Sequence, residues 1–198
     1  MALSADILAH DALAMVELDS IALGYRALDA MVKRSPIAVI EANLVEPGRY
    51  LILFAGGVAE VEEGYDEALH IGDSSVVDKL MLPFAHPELL PGLAGALHVE
   101  DPDTIGVIES RTVASTLMAC DRALKNADVT LAGLRITPGL GGRGYFVVHG
   151  VQHDVEAAIE VSREILAERE ALHRLELIAR PHPDFLAHLL RPAPFRVG

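Results

Sequence analysis

The sequence predicts an α+β fold made of two fused copies of one β-α-β-β-α-β unit, a sheet with helices packed on it. Three observations predict it. The first is an internal repeat, the feature to look for before any local pattern. AMVELDSIALGYRALDAMVKRSPI, beginning at Ala14, is echoed by GVIESRTVASTLMACDRALKNADV, beginning at Gly106. Glu17 and Glu109, Ala22 and Ala114, Asp29 and Asp121, and Lys33 and Lys125 are separated by one constant interval. GRYLILFAGGVAEVEE then faces GRGYFVVHGVQHDVEA, pairing Gly48 with Gly142, Arg49 with Arg143, Gly56 with Gly150 and Val61 with Val155 at a slightly longer interval. LPFAHPELL faces IARPHPDFL, pairing His86 with His182 and Pro87 with Pro183. The second observation is a helical apolar period at the same place in each copy. The third is a pair of β-rich runs split by a Gly/Pro loop, again in each copy.

Each copy opens on a short strand, Ala14–Leu18 and Ile105–Ile108. Ser20 and Thr112 stand where a helix N-cap belongs, because a hydroxyl there accepts from an otherwise orphaned backbone N–H. Apolar residues then step by four, three and four: Ile21, Tyr25, Leu28, Val32 in the first copy and Val113, Leu117, Cys120, Leu124 in the second. That spacing marks one face of a helix, and the face is expected to point inward. Two strands follow, Ala38–Val45 and Arg49–Ala55, matched by Thr130–Thr137 and Gly144–His149. A second helix is expected over Val58–Leu69, with Val61, Tyr65 and Leu69 inward, and over Gln152–Ala167 in the second copy. A last strand, Lys79–Leu82 or Arg174–Ala179, precedes a His-Pro turn, and a short helix closes each copy. The first domain is read as residues 13–98 and the second as 104–190, joined by the acidic, Pro-containing VEDPDT segment. The Pro-rich end from Arg191 is expected to be extended.

Composition narrows the function. The chain of 198 residues carries 16 Lys plus Arg against 29 Asp plus Glu, a formal charge of −13. Such a surface repels phosphate backbones and anionic lipid, so neither nucleic acid nor a membrane is expected as partner. No apolar run approaches the roughly 18 residues that a membrane-spanning helix needs. The first residues, with Asp6, His10 and Asp11, do not read as a secretory leader. Cys120 is the one cysteine, so no intramolecular disulfide forms, as suits a reducing cytosol. Hydrophobic residues reach 51% with only 5% aromatic. So much aliphatic surface in units of about 90 residues, which bury a modest core, hints at subunit interfaces.

The duplicated GVIE-type strands, the D-x-x-x-K at Asp29–Lys33 and Asp121–Lys125, the loops EPGRY and PGLGGRGY, and RPHPD at Arg180–Asp184 together resemble the tandem-domain shell proteins of bacterial microcompartments. The likeness runs from about Leu13 to Leu190. It implies a ferredoxin-like variant in each copy and a homotrimer whose six domains form a pseudohexagonal tile. Tiles would join other shell proteins, hexameric and pentameric, around encapsulated enzymes in the cytoplasm. A central pore would pass metabolites. In the propanediol-utilisation branch a Cys directly precedes the Pro-Gly of the first loop, and three such Cys hold an iron–sulfur cluster. Glu46 stands there in this chain, so no cofactor is expected.

The resemblance implies two groups of site residues. Val45, Glu46, Pro47 and Gly48 of the first loop, with Gly139, Leu140, Gly141 and Gly142 of the second, would line the pore. Three Glu46 carboxylates near a threefold axis would repel one another or recruit a cation; otherwise Glu46 is a solvated turn residue. Lys33, Lys125, Arg180 and His182 would contact neighbouring tiles at the rim. The plainer role for the two lysines is to complement the helix C-terminal dipole. The first copy has Phe84 where the second has Arg180, which weakens that half of the rim.

Other chemistry finds little support. Gly139, Gly141 and Gly144 form GxGxxG, but a dinucleotide site needs the glycines to open a helix, and here they run into the strand-like YFVV. Nine histidines come without HExxH or CxxC, so no metal is expected. No GxSxG elbow is present, and no acid–base pair stands out as catalytic. Cys120 reads as a small buried hydrophobe. A structural shell subunit is therefore the leading function and enzymatic activity is not expected. A small-molecule-binding regulatory trimer on the same α+β unit is the alternative, and an enzyme with its site between the two halves comes third.

Overall fold

The computed structural model describes residues 11–95, 102–136 and 139–189. The chain divides into two compact units, Met1–Ala85 and His86–Gly198. In the first, β1 (Ala12–Leu18), α1 (Ile21–Arg34), β2 (Ala38–Val45), β3 (Arg49–Gly56), α2 (Val58–Gly72) and β4 (Val76–Pro83) follow in order. In the second, a short helix α3 (Leu89–Leu93) precedes β5 (Thr104–Ser110), α4 (Val113–Asn126), β6 (Thr130–Ile136), β7 (Gly144–Gly150), α5 (Gln152–Glu168), β8 (Leu172–Ala179) and α6 (Pro183–Leu189). Both repeats thus run β-α-β-β-α-β, as the sequence predicts. The end of the sixth strand at Thr137, the linker from His98 to Asp101 and the tail from Arg191 lie outside the described residues.

The two sheets have the same order, β2-β3-β1-β4 and β6-β7-β5-β8, with every pairing antiparallel. Each helix therefore links two strands that run the same way with one strand inserted between them, the split βαβ arrangement. Registers agree too: Ala14 faces Phe54 and Gly106 faces Val148. In the first unit alternate residues of the central strands, Ala14, Val16, Leu18, Ile52 and Phe54, pack with Ala27, Met31, Val61 and Ala68 from the helices. This is the period-two pattern of a sheet with one face under helices.

The helix faces depart from the sequence expectation in an instructive way. In α4 the expected set is right: Val113, Leu117, Cys120 and Leu124 are buried. In α1 the buried residues are Gly24, Ala27 and Met31, while Ile21, Tyr25 and Val32 are exposed. Spacing reveals that an apolar face exists, and packing decides which small-residue face meets the sheet. The second helix shows the same rotation: Val61 is buried as expected, but Gly64, Ala68 and Gly72 share that side, with Tyr65 and Leu69 only partly covered. The caps differ as well. The Ser20 hydroxyl accepts from Leu23 N at 3.3 Å, whereas Thr112 holds the cap position without a side-chain cap bond.

Gly24 is where α1 meets β3. A Cβ there would stand 2.6 Å from the Cβ of buried Tyr50, so ring rotation cannot relieve the clash. Gly24→Ala is expected to cost about 1–3 kcal/mol, the usual penalty of overpacking, in spite of alanine's better helix propensity. A lowered urea midpoint at unchanged slope is the readout; an unchanged midpoint would mean that the helix slides away at little cost.

Candidate functional site

The β2–β3 and β6–β7 connections occupy the same end of their respective repeats. In the first, Val45 is buried and anchors the turn, while Glu46, Pro47 and Gly48 are exposed. Gly48 N donates to Val45 O at 3.1 Å and closes the turn. The Glu46 carboxylate is therefore carried on a tight, solvent-facing tip. In the second, Gly139 and Gly141 are exposed, Leu140 is half-buried and Gly142 is buried. Gly139, Gly141 and Gly142 have φ of 86°, 62° and 76°, the left-handed region that side chains disfavour. This explains the glycine run without any ligand. The run leads into a strand, β7, so the helix that a dinucleotide site requires is missing.

Behind each loop lies a charged group that sequence reasoning aligned but gave no role. Glu17, on β1 between Val16 and Leu18, is fully buried, and Arg49 Nη1 from the start of β3 lies 3.6 Å from its carboxylate. In the second unit Glu109 is half-exposed and sits 3.7 Å from His173 Nε2, which in turn lies 3.1 Å from Arg143 Nη1. A glutamate in the middle of a buried apolar strand was the available signal.

The other expected site residues sit at helix and strand ends. Lys33 reaches back to Asp29 at 2.6 Å, with both side chains well exposed. Lys125 pairs with Asp121 at 2.8 Å, but Asp121 is buried. Its second oxygen accepts the His86 backbone N–H at 2.8 Å. Arg180 and its counterpart Phe84 share a left-handed backbone, φ 49° and 53°, and both are exposed. Each backbone N–H donates to the residue that opens its repeat, Arg180 to Asp103 O at 2.8 Å and Phe84 to Asp11 O at 2.6 Å. The two positions are thus alike in backbone and different in side chain. His182 is exposed, and its Nδ1 accepts from Asp184 N at 3.2 Å; His86 Nδ1 accepts from Glu88 N at 3.3 Å in the same small turn.

The remaining reactive groups are placed for packing. Cys120 is fully buried, and desolvation first, then Asp121 and Glu88, pushes its thiol well above the usual range, where the nucleophilic thiolate is scarce. Half-buried His149 is held below the usual imidazole value by desolvation, against the opposing pull of Glu88. Among the described residues no group of three or more His, Cys, Asp or Glu is arranged to hold a metal. No helix among them is long and apolar enough to cross a membrane.

Comparison with known proteins fits this geometry. The BMC domain model matches twice, over residues 12–85 and 104–181. The chain is 34% identical over 171 residues to the bacterial microcompartment shell protein PduT of Citrobacter freundii, covering 86% of this chain and 93% of that protein. The crystal structure of a microcompartment protein from Desulfitobacterium hafniense superposes with a TM-score of 0.78 at 33% identity, over 91% of this chain and 99% of the other. A fused permuted hexameric shell protein of the RMM microcompartment shares the fold, with a TM-score of 0.60 at 21% identity over 80% and 85% of the two chains.

Proposed function

The chain belongs to the BMC domain family of bacterial microcompartment shell proteins and is a structural shell subunit; from that premise we propose how it builds and perforates the shell. Three copies close into a ring of six domains, each comprising a matched repeat and its closing helix, residues 13–98 and 104–190. The rings are tiles that join hexameric and pentameric shell proteins around enzymes in the cytoplasm. The chain itself carries out no reaction. Its acidic loop tip, Val45 to Gly48 with Glu46, and the glycine loop, Gly139 to Gly142, line a central passage. Lys33, Lys125, Arg180 and His182 face neighbouring tiles.

One observation carries this reading: a single chain holds two sheets of identical strand order with matching loops and rim turns. A ring of like wedges uses such duplicated edges, and closure hides apolar flanks. Purified protein should form flat hexagonal sheets, tubes or closed particles in negative-stain microscopy. Discrete trimers that never associate, with a melting temperature that climbs on adding a small metabolite, would instead favour a regulator.

Glu46→Gln tests the passage. One charge at about 4 Å in water contributes about 1 kcal/mol, so its loss should slow release of a cationic dye from closed shells by about fivefold. Particle size and yield should stay as in the parent. Altered assembly with unaltered dye release would remove Glu46 from the pore.

A further inference from the structure

The second unit holds a titratable pair that the first lacks. His149, near the end of β7, stands where the first copy has Ala55, an apolar residue that is 1% exposed. The histidine is half-buried, and its Nε2 is shut off from solvent with no hydrogen-bond partner among the described residues. Thr130 of β6 and Ile105 of β5 flank it in register, and neither is titratable. The charge that reaches the ring belongs to Glu88, the residue before α3. Its aligned counterpart Asp184 is exposed.

Glu88 is already engaged. Its Oε2 accepts Leu131 N at 2.7 Å, one residue from Thr130, at the point where the β6–β7 register shifts. That bond and the one from His86 N to Asp121 Oδ1 at 2.8 Å hold α3 on β6 and α4, with Leu89 and Leu93 buried. Helix α3 is the first element of the second unit, which begins at His86. Other charges border the pair. Asp121 and Lys125 on α4 are joined to each other, as are His153 and Asp154 at the start of α5. Asp128 precedes β6 with its carbonyl beside Gly150, and Asp103 precedes β5. Among the described residues, Glu88 is the charge that acts on the His149 proton. One carboxylate thus stands between a backbone N–H that it holds and a buried ring nitrogen without a partner.

We propose that protonation of His149 draws the Glu88 carboxylate off Leu131 N and loosens α3, an acid-operated latch at the entry to the second unit. The proton comes from solvent. Once the ring is charged, Nε2 is a donor whichever tautomer preceded it, and its bond to a carboxylate is charge-assisted, stronger than the neutral N–H donor it displaces. Desolvation keeps the ring neutral while α3 is docked, and Glu88 pulls the other way. A histidine held below its ordinary value stabilises the docked state above about pH 6.5, and that contribution is lost as the pH falls further. The latch is therefore closed at neutral pH and opens in mild acid. It does not rest on the shell reading.

The test is hydrogen exchange of the full chain between pH 7.5 and pH 5, corrected for the intrinsic pH dependence of exchange. Protection of the Leu131 and Gly92 amides should fall by about threefold or more between pH 7 and pH 5, as linkage to one lowered histidine requires. Amides of β1 and β3 in the first unit serve as the internal control and should hold. His149→Gln removes the titrating ring and should leave Leu131 equally protected at both ends of the range. An unchanging Leu131 amide in the parent, or the same acid loss in His149→Gln, overturns the latch. Should that variant fail to fold, NMR of the parent decides: the Leu131 amide shift must titrate with the His149 ring protons, and separate midpoints refute the coupling. Glu88→Gln checks the partner. Without its negative charge the His149 midpoint should drop, and a midpoint that stays or rises means that Glu88 does not serve the ring.

Discussion

Arg49→Met is expected to destabilise the first unit by about 3–5 kcal/mol, the range found when one partner of a buried ion pair is removed. The corresponding Arg143→Met should cost the second unit less than about 1 kcal/mol, as is usual for exposed charge pairs. The difference follows from where one aligned glutamate sits. Glu17 is wholly buried, on a strand buried along its full length, in register with Leu51 on one side and Asp78 on the other. Its carboxylate cannot be rehydrated without opening the sheet, and Arg49 supplies the nearby positive charge. Glu109 is 44% exposed and Arg143 Nη1 lies 3.1 Å from His173 Nε2 in an exposed contact, so water can replace Arg143. Hydrogen exchange of the β1 and β3 amides reads the first unit directly, and that of β5 and β7 the second. The decisive control is Glu17→Leu with Arg49→Met. Removing both charges should be milder than removing the arginine alone, because no buried carboxylate is left stranded. If the double variant is as unstable as the single, packing of the arginine stem is the reason, and the charge is secondary.

The repeat made most of the fold legible. A duplicated β-α-β-β-α-β order needs only period-two and period-four patterns, loop glycines and collinear spacing, all of which are local properties of the chain. The strand ends near Val45, Arg49 and Gly144 were correct because turn residues mark them. The inward face of α1 was not legible. Ile21, Tyr25 and Val32 have the apolar spacing of a buried stripe, yet Gly24 and Ala27 meet the sheet, because Tyr50 leaves room there for small residues alone. An apolar face left exposed and one turned to the core have the same period, so sequence alone does not separate them. The loops at Glu46 and Gly139–Gly142 were found as turns for the same local reasons. The buried setting of Glu17 and Asp121 was hidden, since burial of a charge depends on residues distant in sequence.

That hidden burial changes what replacing Lys33 and Lys125 should do. With Lys33 and Lys125 both replaced by alanine, trimers are expected to persist and hexagonal sheets to disappear. The two substitutions should differ on the way there. Lys33 and Asp29 are 72% and 63% exposed in their side chains. Lys33→Ala should therefore leave the unfolding midpoint within about 0.5 kcal/mol of the parent, as surface changes do. Lys125 covers a carboxylate that is 2% exposed. Lys125→Ala should lower stability by about 1–3 kcal/mol, since the Asp121 charge keeps the His86 N–H but loses its cation. Sheet formation and stability are thus separable in the first lysine and entangled in the second. Microscopy at equal trimer concentration, read beside urea midpoints, distinguishes the causes. If Lys33→Ala alone thins or removes the sheets at unchanged stability, the lysine acts at the tile edge. If only Lys125→Ala removes them, in step with its lost stability, assembly depends on a sound second unit, and the lysines hold helix ends and nothing beyond.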